Sequence, residues 1–190
     1  MQVQYSEGET FERLVASEVD LHGRTYEHCT FQRCDLSRAD LSKSKFIACT
    51  FSGCDLSMVK WRSASLQDVV FNECKLLGVD FSVCSEMLFS VRFDACKLDH
   101  SILAGRRMPK TRFNKCSLRG VDMEGADLSA AVFEQCDLQD AVFARTVLKG
   151  ADLTTAHGFR IHPDGNELEG ARFSVQGAIG LLAPYGVVVE

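Results

Sequence analysis

The 190-residue chain is short of the residues that punctuate ordinary folds. It holds three prolines and one tryptophan, which leaves no room for rigid, proline-rich linkers. No apolar run reaches the roughly 18 residues of a membrane-spanning segment, so no membrane partner is expected. A basic excess is missing as well. Lys and Arg total 21 against 26 Asp and Glu, giving a formal charge of -5 and a pI near 5.6. That balance argues against a surface built to grip phosphates, and direct DNA binding is not expected. Met1 to Thr10 lacks the basic and apolar blocks of a secretory signal, so a cytoplasmic setting is the expectation. The helical period of 3.6 and the strand period of 2 both fail along the chain.

What is present is a period of five. One run of 13 large apolar residues steps from Leu21 through Tyr26, Phe31, Leu36 and so on to Phe81. The phase then slips by two across residues 82–87. A second run of 14 steps from Leu88 through Phe93 to Leu153. Two residues before each such centre stands a small one in 24 of 27 cases, the exceptions being Arg24, Glu86 and Arg106. Each unit thus offers one small and one large inward residue and three outward ones, the pattern of a narrow solenoid.

The cysteines add a longer period. Eight of the nine occupy small positions, and Cys34, Cys54 and Cys74 lie twenty apart, as do Cys96, Cys116 and Cys136. Twenty residues make four units, hence a four-sided coil. Residues 11–156 predict roughly seven coils, a rod about 35 Å long at the inter-strand spacing. Buried cysteines here read as small hydrophobes rather than disulfide or metal ligands. Cys84 falls at the phase slip and is the one thiol expected to be accessible.

At this point the sequence resembles the pentapeptide-repeat family. The family's unit, small–Asp–Leu/Phe–polar–x, stands here as Cys34-Asp35-Leu36-Ser37-Arg38, Ala39-Asp40-Leu41-Ser42-Lys43, Cys54-Asp55-Leu56-Ser57 and Ala126-Asp127-Leu128-Ser129. The resemblance implies an all-β, right-handed quadrilateral β-helix with a short C-terminal α-helix, without enzymatic activity. The phase slip is similar to the break in quinolone-resistance members. Those are dimers that bind DNA gyrase and topoisomerase IV by mimicking duplex DNA. The chain resembles their loop-free type. The alternative implied by the same fold is a scaffold or immunity-type interaction module for another partner.

The division expected is a repeat domain, 1–156, with an N-terminal stack to about residue 81 and a second stack over 88–156, followed by a C-terminal strap, helix and tail over 157–190. Units around Phe11 and Ala16 match poorly, with Leu14 in a small position, and predict an irregular N-terminal cap. Leu168, Ala171 and Phe173 suggest one last irregular turn. Ser174 predicts the N-cap of a helix over Val175 to Ala183. Its apolar residues, Val175, Ala178, Ile179, Leu181 and Leu182 with Tyr185 beyond, suggest a two-fold dimer interface, as in the gyrase-binding members. A cap lying flat on the last coil is the other reading.

Chemistry candidates are few. No nucleophile–base pair, phosphate-cradling glycine loop or catalytic carboxylate pair emerges, and no cofactor or metal is expected. His157, His162 and Asp164 read as a solvated loop. The main functional clue is aspartate just before the centre, at Asp20, Asp35, Asp40, Asp55, Asp80, Asp122, Asp127, Asp137 and Asp152. Two readings stand for it: a carboxylate surface that meets the DNA-binding saddle of a topoisomerase, or turn capping and solubility. Arg106, Arg107, Lys110 and Arg112, continued by Lys115 and Arg119, form a basic collar, followed by an acidic stretch from Gly120 to Ala144. Stacked rings of opposite charge are expected, with contact to an acidic partner patch, or to DNA at the edge of a complex, as the functional reading. Arg106 occupies an inward position, where an unpaired guanidinium would be costly, so an outward bulge of residues 102–112 is expected. Trp61, at a centre, is expected to widen its coil or turn its indole outward.

Overall fold

The computed structural model describes residues 5–18 and 20–189, apart from the side chain of Glu18. Val19, the small residue before the centre Leu21, and Met1 to Gln4 of the N-terminal segment lie outside them. Among the described residues there are thirteen short strands, three 3-10 turns and one α-helix. The strands are β1 (Tyr5–Glu7), β2 (Thr10–Glu12), β3 (Thr25–Glu27), β4 (Thr30–Gln32), β5 (Lys45–Ile47), β6 (Thr50–Ser52) and β7 (Ser65–Gln67). They continue as β8 (Val69–Asn72), β9 (Val91–Asp94), β10 (Arg112–Asn114), β11 (Val132–Glu134), β12 (Asp152–Leu153) and β13 (Arg172–Phe173), then the helix α1 (Val175–Leu182). All pairings are parallel. The result is a right-handed, four-sided solenoid of about 8 turns with one short C-terminal helix.

One face is a nine-stranded sheet that runs the length of the rod, in the order β13-β12-β11-β10-β9-β8-β6-β4-β2. A second face carries the four-stranded sheet β1-β3-β5-β7. The other two faces are ladders of single bridges such as Val15↔Asp35, Asp35↔Asp55 and Asp55↔Lys75. The twenty-residue register is set by backbone bonds between coils. Thr30 N–H donates to the Glu9 carbonyl (2.9 Å), Leu36 N–H to Asp55 (2.8 Å) and Arg38 N–H to Ser57 (2.9 Å).

Because the register is fixed, like inward side chains stack on like. Phe31, Phe51, Phe71, Phe93 and Phe113 are buried, with ring centroids 4.6–5.3 Å apart and near-parallel planes. Leu36, Leu56 and Leu76 are fully buried one coil apart. The cysteine column does the same work at the small position. Cys54 Sγ donates to the carbonyls of Phe31 (3.3 Å) and Ser52 (3.5 Å), and Cys136 Sγ to those of Phe113 (3.4 Å) and Glu134 (3.5 Å). All nine thiols are free and buried.

Most corners are built by one backbone device. Among the described residues nineteen non-glycine residues adopt positive φ, and all but Leu88 stand two places after a centre or its N-terminal equivalent Phe11, as do Arg38 (φ 59°), Lys43 (φ 61°) and Met58 (φ 55°). The same position holds Gly53, Gly78, Gly105, Gly120, Gly125 and Gly150. A left-handed residue turns the chain through the corner at a cost of about 1–2 kcal/mol when it carries a Cβ. The bonds between coils offset that cost.

Several expectations are corrected. The Phe11 unit is regular rather than part of an irregular cap, for Tyr5 pairs with Thr25, Thr10 with Thr30, and the Phe11 ring stacks on Phe31 at 4.9 Å, whereas the Ala16 unit departs from the repeat as a 3-10 turn over Ala16–Glu18. The turn-rich segment 157–166 is tied to the rod, with His157 bridging Asp137 and with Phe159 and Ile161 buried, and the further turn suggested by Leu168, Ala171 and Phe173 forms, Arg172–Phe173 pairing with Asp152–Leu153. The phase slip is a two-residue insertion, since Val69 pairs with Val91 and Phe71 with Phe93, while the nine-stranded sheet passes through it unbroken. The extra residues form a knuckle at Glu86–Phe89. Leu88, read as the first centre of the second run, is 69% exposed there and left-handed, and Phe89 packs inward in its place. The segment 102–112 does not bulge: Ile102 bridges Asp80, Met108 is buried, and Arg106 turns inward. Cys84 is buried, and burial pushes its thiol up to about 12. The Trp61 indole is fully buried with Nε1 unpartnered, and Asp40↔Lys60 keeps that coil in register.

Two outcomes follow. Phe71→Ala, which opens a void between the Phe51 and Phe93 rings, is expected to lower unfolding free energy by about 3–5 kcal/mol in urea denaturation. Ellman's reagent is expected to label none of the nine cysteines of the native protein within minutes and all of them in guanidinium; rapid labelling of native Cys84 would contradict its burial.

Candidate functional site

With the interior filled, the outer skin carries whatever recognition the protein performs. The nine sequence-picked aspartates are spread over all four faces. Asp20, Asp40, Asp80 and Asp122 occupy one face, with Lys60 bridged to Asp40 and Ile102 lying between Asp80 and Asp122. Asp35, Asp55 and Asp137 lie on the next, interrupted by Lys75, Lys97 and Ser117. Asp127 sits beside Arg107 and Val147 on a third, and Asp152 on the long sheet opposite Arg172.

Each of the nine also performs the same local task. Its Oδ1 accepts the backbone N–H two residues on, at 2.9–3.1 Å: His22, Ser37, Ser42, Ser57, Ser82, Glu124, Ser129, Gln139 and Thr154 are the donors. The hydroxyls of Ser37, Ser82, Ser129 and Thr154 add a second bond at 2.5–2.7 Å. This is the side-chain turn that aspartate forms with its own backbone. The capping reading of the repeat aspartate therefore holds at every position. The second carboxylate oxygen accounts for whatever outward charge remains.

Proton affinities follow these contacts. Bonds from Ser42, with His22 alongside, hold Asp40 below the usual carboxylate value. Partial burial works against ionisation of Asp55, but the Ser57 bonds and Lys75 outweigh it and lower the group. Thr154 and then Arg172 lower Asp152.

The basic collar and the acidic stretch form neighbouring rings. Arg112 lies 3.6 Å from Glu134, Arg119 3.9 Å from Asp137, and Arg145 meets Glu124. Such exposed pairs are worth at most about 1 kcal/mol each. Arg107, Lys110 and Arg112 face solvent. Arg106 does not, so the collar has three outward members among the four named.

The C-terminal helix has two sides. Gly177 and Gly180 face the rod end. A Cβ on Gly180 would lie 2.4 Å from the Phe159 carbonyl, so only glycine allows this approach. Leu181 packs against the core beside them. Ser174 caps the helix by accepting the Gly177 N–H at 2.9 Å. On the other side Val175 (94% exposed), Ile179, Leu182 and Tyr185 are uncovered. Of the interface residues picked from sequence, Leu181 points inward and Ala178 is half-buried. Between α1 and residues 154–160 runs an open groove of about 630 Å³. His162, Asp164 and Tyr185 gather near it: the tyrosine hydroxyl donates to Asp164 at 2.8 Å, and its ring lies 4.9 Å from His162. Among the described residues no group of three or more His, Cys, Asp or Glu is arranged to hold a metal ion, and no helix is long and apolar enough to cross a membrane.

These features define a solenoid whose chemistry is on its surface, and comparison with known proteins places it. A pentapeptide repeat region matches residues 25–103, and pentapeptide repeats match 88–129 and 126–157. The chain belongs to the pentapeptide-repeat family.

Among solved structures it is similar to full-length QnrB1, a plasmid-mediated fluoroquinolone resistance protein, with TM-score 0.65 and 21% identity over 96% of this chain and 100% of that one. A trypsin-treated form of QnrB1 gives TM-score 0.65 and 22% identity over 99% and 98%. HetL of the cyanobacterium Nostoc sp. Strain PCC 7120, involved in heterocyst differentiation regulation, is more distant, at TM-score 0.44 and 16% identity over 90% and 87%. A search of curated protein sequences returns no match. The chain is thus a repeat protein of Qnr-like kind in fold.

The turn-capping aspartates give a pH signature. The folded-state proton affinity of Asp40, Asp55 and Asp152 is depressed, so the stability these three add is fully present above the unfolded value, about 3.9. It is lost as pH falls through the lower folded value. Urea midpoints are expected to hold from pH 7 to 5 and drop below pH 4. Asp35→Ala is expected to lower stability by about 1 kcal/mol, and Asp35→Asn by less, because the amide oxygen still accepts the Ser37 N–H.

Proposed function

We propose that this protein is a non-enzymatic, cytoplasmic homodimer that binds a type II topoisomerase, DNA gyrase or topoisomerase IV, and protects or modulates it. The observation that carries this reading is the end-to-end likeness to QnrB1, a protein described by its role in fluoroquinolone resistance. The quinolone-resistance members that the repeat resembles bind DNA gyrase and topoisomerase IV, which supports a topoisomerase as the partner. Net charge of -5 and the outward carboxylate oxygens of the nine aspartates support attraction to a basic DNA-binding saddle. The uncovered Val175, Ile179 and Leu182 support a dimer through α1.

A second reading, a scaffold or immunity-type module with a different partner, draws on the interrupted columns. Lys60, Lys75 and Lys97 break the acidic strips, and Asp55 pairs with Lys75 at 3.6 Å, so no duplex-length carboxylate stripe forms along those faces. A supercoiling assay separates the two. The topoisomerase reading expects the protein to restore gyrase supercoiling in the presence of ciprofloxacin, or to inhibit it alone, at low micromolar concentration. No effect of either kind at tens of micromolar favours the second reading. For the dimer, sedimentation is expected to give twice the chain mass for the wild type and a single chain mass for Ile179→Glu with Leu182→Glu.

A further inference from the structure

The small inward position on the face of β1, β3, β5 and β7 carries Arg24, Ser44, Ala64, Glu86 and Arg106 in succession. At the knuckle the two-residue insertion swings Glu86 out, leaving its side chain 94% exposed. Arg106, on the next coil, reaches into the space so left, with its side chain 4% exposed. Nη1 donates to the carbonyls of Cys84 (3.0 Å) and Ser85 (3.3 Å), and the guanidinium carbon lies 5.0 Å from the Phe89 ring centre. Nη2 looks toward Glu86 Oε1 at 3.9 Å, too far for a hydrogen bond. Among the described residues no side-chain carboxylate bonds this guanidinium.

A crevice of about 120 Å³ opens at that spot, lined by Glu86, Phe89, Gly105, Arg106 and Arg107. Its lining holds two guanidinium groups against one carboxylate that points to solvent. A buried guanidinium is stable only when its donors are matched, and a planar oxyanion matches them best. At about 120 Å³ the crevice is of a size to admit a carboxylate or phosphate group.

We propose that this crevice is a binding site for a small oxyanion, a carboxylate or phosphate group, seated on Arg106, and that Glu86 is its built-in competitor. Arg107 adds charge at the mouth and the Phe89 ring forms one wall. The site is independent of the topoisomerase reading, since it concerns a group that fits one crevice rather than an extended surface.

The test is an NMR titration of the ¹⁵N-labelled full chain, reading the Gly105 amide and the Arg106 Nε–H, in chloride-matched buffer. Inorganic phosphate and N-acetylglutamate amide are the two probes, and they tell a free phosphate from an acidic side chain by which one binds more tightly. Saturable shifts at millimolar probe are expected. Glu86→Gln is expected to tighten binding at least about threefold, and Arg106→Met to abolish it. Shifts that grow linearly without saturating, or an affinity unchanged in Glu86→Gln, would overturn the proposal. The wild-type and Glu86→Gln titrations decide it even if Arg106→Met fails to fold.

Discussion

A parallel ladder that bonds each coil to the next must repeat after the same number of residues on all four sides. In this chain the number is twenty, and the inward columns follow from it. Phe stacks on Phe from Phe11 to Phe133 along one face, Leu on Leu through Leu36, Leu56 and Leu76 on another, and thiol on thiol from Cys34 to Cys136. A stack of equal side chains fills a tube of constant bore at the density of a protein interior. Such a tube has no room for a deep catalytic pocket, so the polar chemistry lies at corners, ends and breaks.

The same constraint limits what the outside can say. Of the three outward residues in a unit, the one before the centre is drawn into the corner when it is aspartate, and the one two places after must turn left-handed. The outward side chains thus answer to the corner geometry as well as to any partner. This explains why charge varies from coil to coil, as in the Arg112–Glu134 and Arg119–Asp137 pairs, rather than forming one face of constant sign. It also explains why the two ends and the knuckle differ most from the repeat: there the ladder loses its period, and side chains such as Val175, Met87 and Arg106 take positions that no regular unit permits.

Periodicity made the architecture readable, because a five-residue step admits no helix and no flat strand. The cysteine spacing then gave the number of sides. What periodicity could not convey was the energy of exceptions. Arg106 looked too costly to bury, yet two backbone carbonyls and an aromatic face receive it, and those appear only when the insertion places residues 84–89 beside it. Leu88 satisfied the step but lost its place to Phe89, since the insertion falls one corner later than the sequence break suggested. Leu14 in a small position hid a first coil whose backbone pairing is ordinary. The corners were missed although a signal existed: glycine recurs two places after the centre, at Gly53, Gly78, Gly105, Gly120, Gly125 and Gly150, the residue best suited to positive φ. Turn capping was one of the two readings of the repeat aspartate, and only geometry could show that all nine carboxylates cap at once.

The central claim is that one uninterrupted stack runs through the two-residue insertion, carried by the long sheet and closed by Arg106. Native-state hydrogen exchange tests it most directly. The account predicts that the amides of β8 and β9 on either side of the insertion exchange as slowly as those of β6 and β10, with fast exchange confined to Glu86–Phe89. Two slow blocks separated by rapid exchange across both β8 and β9 would contradict it, and would mean two rods joined end to end.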